Sequence, residues 1–415
     1  MTEDHSSSSR SGASSRRGFL RRAGVGATAA VAAPAVLAAC SRLGGDDEVA
    51  GTAGDADSAS GNTSSDEVIS SDLIECPEPA TTVAAADELP LVEWEMPTSW
   101  PTSLPTLWGG AQRFADRVAA LTGGRFRITP RSAGEVAGPF DVLPLVAEGQ
   151  FAVGSSASYY YTDLSPALAF GTAVPFGLTH RQGLSWLHSG GGLELLQEIH
   201  ANRFNAIQFP VGATGAQMGG WFRKELNSLA DLQGLRMRIP GLGGQVMARL
   251  GVEPVTIAAG EIVTNLQDDT IDAAEFVGPF DDSALGLEQG AQFYYYPGFW
   301  EPGPITDVQI NLDEWNRLPP QYQEAIRSAA FETTARMVAD YDALNGLALN
   351  ELVASGVELR LFPDDILDAG RAASGIILDE IAAGDEDFAR VLANWREFRR
   401  QVSPWFSLAE AALLQ

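Results

Sequence analysis

GLRMRIPGLGG, residues 234–244, is the stretch on which the fold turns. Leu235, Met237 and Ile239 alternate with Arg236 and Arg238, the period of two that a β-strand requires, so both arginines fall on one face and the apolar side chains on the other. Pro240 closes the strand, and residues 244–251 read as a helix. A second helix is expected near residues 261–268 and another strand over 271–277, within TIDAAEFVGPFDD (270–282). Strands separated by helices imply parallel pairing with the helices as crossovers.

The same order occurs once before. A strand begins at Trp94; Leu107, Phe114, Val118 and Leu121 then recur at helical spacing until Thr122-Gly123-Gly124 stops them. Residues 125–129 alternate as a strand, 140–147 read as a helix and 151–154 as a third strand. Residues 204–209 give a further strand and 228–232 a short capped turn. After Pro297 the pattern becomes mostly helical, over 319–355, 363–383 and 385–402. Two β-α-β runs within about two domains' worth of chain predict two α/β lobes, with mainly parallel sheets, flanking helices and a helical C-terminal region.

Glu275 is the awkward residue in this pattern. It lies between Ala273-Ala274 and Phe276-Val277, where a strand should be entering a core. An ionised carboxylate buried without a partner costs several kcal/mol, on the order of its lost hydration, so an arginine, a set of backbone N–H groups or a bound cation must meet it, or it must give up its charge.

The front of the chain carries a different message. Ser15-Arg16-Arg17-Gly18-Phe19-Leu20-Arg21 precedes a Gly/Ala/Val stretch that ends in Leu37-Ala38-Ala39-Cys40. Residues 1–40 therefore read as a twin-arginine export signal, whose end resembles a lipobox that would place lipid on Cys40. The apolar stretch is shorter than a membrane-spanning helix needs. Cys76 is the only other cysteine; it is a free thiol if Cys40 is lipidated and a pairing partner if it is not. Residues 41–90 are rich in Ser, Gly, Ala, Thr, Asp and Glu, and are expected to be a flexible acidic linker tethering an exported, membrane-anchored domain of residues 91–415.

The chain holds 27 basic and 54 acidic residues, and residues 91–415 alone hold 21 and 40, a net charge of −19. Nucleic acid is thereby an unsuitable partner, because phosphate binding needs clustered positive charge. An anionic ligand would instead depend on a local arginine or a bound cation. Catalytic chemistry has little support. His5, His180, His188 and His200 show no metal-ligand spacing, no G-x-S-x-G elbow occurs, and Gly241-Leu242-Gly243-Gly244 lacks the phosphate-binding pattern. Asp281 and Asp282 would point to opposite sides of an extended chain, which does not suit acid/base work. An exported enzyme is the rejected alternative.

Five stretches together carry a resemblance: GAQMGGWFRKELNSLADLQGLRMRIPGLGG (215–244), TIDAAEFVGPFDD (270–282), FYYYPGFWEPG (293–303), SASYYYTDLSPALAFGTAVPFG (156–177) and LPPQYQEAI (318–326). They resemble the substrate-binding proteins of tripartite ATP-independent periplasmic (TRAP) transporters, the DctP family, and most of all its branch that binds 2-oxo acids or lactate with a metal ion. That resemblance implies a two-lobed periplasmic-binding-protein-like fold, with lobe I near residues 91–212 and 300–345, lobe II near 213–299 and a helical segment near 346–415. It implies an extracytoplasmic receptor that hands a small organic anion to membrane permease subunits. Same-fold receptors for a dicarboxylate or an aromatic acid, or for sensing, are the alternatives.

The resemblance also implies a site. The family's carboxylate-binding arginine falls on Arg238, whose planar guanidinium can hold a carboxylate through two parallel hydrogen bonds. The metal-binding branch uses the glutamine of QMGGW, the acid of a DAAEW motif and the next residue's carbonyl, here Gln217, Glu275 and Phe276. Phe276 replaces the usual Trp, which leaves the carbonyl but shrinks the wall and removes an indole N–H. Oxygen ligands of this kind suit Na⁺ or Ca²⁺. Glu301, Tyr159 and Tyr160 are expected near the ligand, and Arg236 outside it. The apolar spacing of Phe388, Val391, Leu392, Trp395 and Phe398 predicts burial against the chain's own lobe or a second copy, and a homodimer is expected.

Overall fold

The computed structural model describes residues 89–413. The export signal, Cys40, Cys76 and the linker up to residue 88 lie outside the described residues. In chain order the first elements are β1 (Val92–Pro97), α1 (Leu107–Leu121), β2 (Phe126–Arg131), α2 (Val142–Ala147), β3 (Val153–Ser156), α3 (His180–Ser189), α4 (Gly192–Phe204) and β4 (Ala206–Ala213). The middle holds β5 (Gly220–Phe222), β6 (Arg236–Arg238), α5 (Gly241–Arg249), β7 (Glu253–Val255), α6 (Ile262–Gln267), β8 (Ala273–Ala274), α7 (Pro279–Leu285) and β9 (Phe293–Tyr296). β10 (Ile305–Asn311), α8 (Leu312–Arg317), α9 (Pro320–Ala354), β11 (Glu358–Leu361), α10 (Asp364–Gly384) and α11 (Glu386–Ala409) complete it.

Two bodies of sheet result. β1 and β2 pair in parallel, and a parallel bridge between Thr98 and Ser155 carries the pairing on to β3. β10 returns antiparallel between β3 and β4. The second sheet has the order β11-β9-β5-β8-β6-β7. Its β6, β7 and β8 are mutually parallel, as are β9 and β11, while β5 runs antiparallel between β8 and β9. Parallel β-α-β units thus build both bodies, and the reversed strands β5 and β10 follow the stretches that pass between them.

The expected helices and strands of residues 94–154 and 235–268 are present, whereas later stretches differ from expectation. β10 and β11 interrupt the mostly helical C-terminal half. β10 hides Thr306, Asp307, Gln309 and Asn311 in the interior, so its sequence shows no clean apolar alternation. The strand expected over 271–277 is confined to Ala273–Ala274, because Val277 N donates to the Asp282 carboxylate (3.1 Å) and leaves the ladder. Asp281 and Asp282 lie on helix α7 rather than on extended chain, and both are buried.

α3 and α4 form a layer that receives α11. Phe388, Val391, Leu392 and Trp395, the apolar stripe of α11, are buried in one core with Phe170, Trp186 and Leu196. The Phe170 ring meets those of Phe388 and Trp395 at 4.9 and 5.9 Å. The stripe is therefore covered by its own chain. Among the described residues no helix is long and apolar enough to cross a membrane.

Candidate functional site

The carboxyl ends of β3, β6 and β8 converge, the location where open α/β sheets hold ligands. Arg238 is the last residue of β6, and its strand partner Ala274 ends β8, so Glu275 emerges beside it. Glu275 N donates to Arg238 O (3.1 Å). Tyr159 and Tyr160 occupy the 3₁₀ turn Ser158–Tyr161 that follows β3. Gln217 precedes β5, and Glu301 lies in the loop between β9 and β10.

Two glycines let these segments meet. Gly298 packs so closely on residues 217–218 that a Cβ would come within 2.5 Å of Met218 O and 2.6 Å of Gln217 O. Backbone bonds then join Gln217 N to Glu301 O (3.2 Å) and Gly298 N to Gln217 O (3.2 Å). Gly220, at φ +86°, lets β5 approach Glu275, where a Cβ would lie 2.8 Å from the Glu275 Cα. Phe176 stacks on Phe299 at 4.7 Å and donates its N–H to Phe299 O (2.6 Å), so it anchors the loop carrying Glu301.

The partner that Glu275 needs is Arg238. Its Nη1 donates to the Glu275 carboxylate and to Glu275 O (2.8 Å), and its Nε to Ile257 O (3.1 Å). The guanidinium's hydrogen bonds are made through Nη1 and Nε, which leaves Nη2 as the nitrogen to meet a further acceptor. Both side chains are fully enclosed, at 1% and 0% exposure. The Phe276 ring lies 5.5 Å from the guanidinium carbon. Gln217, Phe276, Tyr159 and Tyr160 share a cavity of about 20 Å³ with Trp100 and Thr306, and Tyr159 and Tyr160 also border one of about 260 Å³ with Ile239, Pro240 and Gly241. Arg236 stands apart, its Nε and Nη2 on the Asp272 carboxylate (2.9 and 2.8 Å).

Electrostatics at the centre are unbalanced. Burial pushes the Glu275 carboxyl up to about 7; Arg238 pulls against that and Asp282 adds to it. Burial, then the Glu275 charge, hold Glu301 well above the carboxylate range despite Arg238. Gln217 Oε1, Glu275 Oε2 and Glu301 Oε2 are buried without a hydrogen-bond partner, as is the indole N–H of Trp300. Buried acceptors left unsatisfied are costly and call for a donor or a cation. Among the described residues no group of three or more His, Cys, Asp or Glu could hold a metal. An ion here would meet amide, carboxylate and carbonyl oxygens, a donor set that fits the hard ions Na⁺ and Ca²⁺ and not zinc.

Sequence reasoning missed Trp100 and Thr306, which line the small cavity, and the roles of Asp281 and Asp282 behind it. Two acids directly after a buried strand were the available signal for the last two.

A profile of the family described as bacterial extracellular solute-binding protein, family 7, matches residues 98–385. The monocarboxylate 2-oxoacid-binding periplasmic protein of Nostoc sp. strain PCC 7120 is 51% identical over 344 residues, 83% of this chain and 94% of that protein. A TRAP transporter solute-binding protein of Bordetella bronchiseptica RB50, a mixed-occupancy dimer with copurified calcium and picolinate, is 41% identical with a TM-score of 0.77, covering 78% and 96% of the two chains. A TRAP periplasmic solute-binding protein of Pseudoalteromonas atlantica T6c, with bound sodium and pyruvate, is 35% identical with a TM-score of 0.75, covering 78% and 98%.

Proposed function

The chain belongs to family 7 of the bacterial extracellular solute-binding proteins, and from that membership we propose that it is the receptor of a TRAP transporter, holding a small 2-oxo monocarboxylate together with Na⁺ or Ca²⁺ and presenting it to membrane permease subunits. It is a receptor and not an enzyme. The observation that carries the ligand assignment is one buried guanidinium close to three buried oxygens without hydrogen-bond partners, those of Gln217, Glu275 and Glu301. Arg238 takes the ligand carboxylate. Gln217, Glu275 and the Phe276 carbonyl hold the cation, which neutralises the repulsion between Glu275 and the incoming anion. Glu301, Tyr159 and Tyr160 enclose the remainder of the ligand.

An aromatic acid is the second candidate, supported by the picolinate of the Bordetella relative and by the smaller wall that Phe276 offers compared with Trp. Thermal melting of the chelated protein discriminates. Pyruvate with calcium should raise the melting temperature, since a ligand that binds only the folded state adds stability with concentration. A shift with picolinate alone would favour the aromatic acid. No shift with either would refute the assignment.

In the proposed division, lobe I takes residues near 91–212 and 300–345 and lobe II those near 213–299, with 346–415 as a mostly helical segment whose β11 joins the six-stranded sheet. Export by the twin-arginine route, lipid on Cys40 and an acidic tether over 41–90 complete the proposed arrangement, which suits a periplasmic receptor. A homodimer is supported by the dimeric Bordetella relative. Its contacts would fall outside the self-covered α11 stripe, near the exposed Trp405 and Leu408.

A further inference from the structure

Asp281 and Asp282 are neighbours in α7, both fully buried, and they are committed in opposite directions. Asp282 accepts from Trp221 Nε1 on β5 (2.9 Å), from the Tyr294 hydroxyl on β9 (2.7 Å) and from Val277 N (3.1 Å). Trp221 and Tyr294 stack at 4.0 Å, so the receiving surface is rigid. These bonds fasten the turn containing Glu275 and Phe276 to the six-stranded sheet.

Asp281 faces away from that sheet. It accepts from the Thr106 hydroxyl, at the start of α1, and from the Tyr341 hydroxyl in the middle of α9. α9 holds the same short helix a second time, through Asn345 Oδ1, which accepts from Phe280 N (3.1 Å). α1 packs on α9, β2 and β4, so Thr106 belongs to the other body of sheet. Trp100 and Leu107, on either side of Thr106, join Phe276 and Val277 in one core cluster. The ligand-holding turn is therefore clamped from behind by one residue of α7, and the clamp joins the two sheets.

We propose that Asp281 is a positioning residue for solute binding: through Thr106 and Tyr341 it couples closure of the two sheet bodies to the placement of the Glu275–Val277 turn that Asp282 fixes. This rests on the receptor function proposed above. Neither acid lines the small cavity at the site. The clamp acts on the closed state, because the Thr106 bond is made only when α1 and α7 are together, so it governs how long solute stays rather than how fast it arrives.

The test uses Thr106→Val, which keeps shape and removes the donor, Tyr341→Phe, and Thr106→Ser as the conservative rescue. Pyruvate dissociation with calcium present is measured by stopped-flow tryptophan fluorescence, and the radius of gyration of ligand-free protein by small-angle scattering. Thr106→Val and Tyr341→Phe should each release pyruvate about tenfold faster with the association rate unchanged, as expected for losing a hydrogen bond to a charged group. Both should have a larger ligand-free radius of gyration, and Thr106→Ser should behave as the parent in both respects. Parental release rates and scattering in Thr106→Val and Tyr341→Phe would overturn the proposal; if Thr106→Val fails to fold, Tyr341→Phe decides alone. A parent that binds no 2-oxo acid would refute the 2-oxo acid assignment instead, while the scattering comparison would still decide the clamp.

Discussion

At the scale of single residues, the molecule places its most awkward charges where a ligand would relieve them. A buried ion pair is weak evidence for stability, and removing one partner alone commonly costs 3–5 kcal/mol, on the order of the stability of many domains. Arg238→Met alone should therefore destabilise the protein by about 3 kcal/mol. The double variant Arg238→Met/Glu275→Gln should regain most of that in chemical denaturation and still not bind pyruvate. Stability and binding would then be shown to depend on the same pair for different reasons. Asp307 offers a test that needs no ligand. Its carboxyl is pushed up to about 7 by burial, with Ser158 and Gln309 opposing. A pKa raised in the folded state means that the folded chain holds the proton more tightly than the unfolded one. Its stabilising contribution is thus fully present below about pH 4 and lost as pH rises through about 7. Asp307→Asn should melt higher than the parent at pH 8, and the difference should shrink towards pH 4, with a span of up to about 4 kcal/mol.

At the scale of elements, α11 is held by the side chains its sequence advertised. Trp395 is buried against Phe170 and touches the loop at Gly177, so Trp395→Ala should cost about 3–5 kcal/mol in urea denaturation and leave pyruvate affinity unchanged. The elements legible in the sequence were those whose burial is one-sided: α1 with Phe114 and Val118 inward, and β6 with its alternation. β10 escaped notice because both of its faces are interior and four of its seven residues are polar, so neither alternation nor an apolar run marks it. β5 has three residues and β8 two, too few to show a period. β11, a short strand at the edge of its sheet with partly exposed side chains, gives an equally weak signal. α4 lacks a strong apolar stripe because glycine opens it and buried His200 replaces an aliphatic residue on its inner face. Within the site, Arg238, Gln217 and Glu275 were readable from motifs. The direct contact between Arg238 and Glu275 was not, since strand position alone does not say which of several available partners a buried acid meets. The motifs likewise said nothing of Trp100 or of the Thr106–Asp281–Tyr341 clamp, which depend on contacts between segments far apart in the chain.

For the whole molecule, a net charge of −19 over residues 91–415 offers an anion no general attraction, and the proposed function accordingly concentrates recognition in one guanidinium and one cation. Arg238 engages Glu275 in this structure; on the proposed reading a bound carboxylate would compete for the same guanidinium and release Glu275 to the ion. The measurement that tests this most directly is the crystal structure of the protein with pyruvate and calcium, the ion identified by its anomalous signal. The expected result is a pyruvate carboxylate on Arg238, with calcium about 2.3–2.6 Å from Gln217 Oε1, a Glu275 carboxylate oxygen and the Phe276 carbonyl. Pyruvate bound elsewhere while Glu275 remains on Arg238 with no ion beside it would contradict the account.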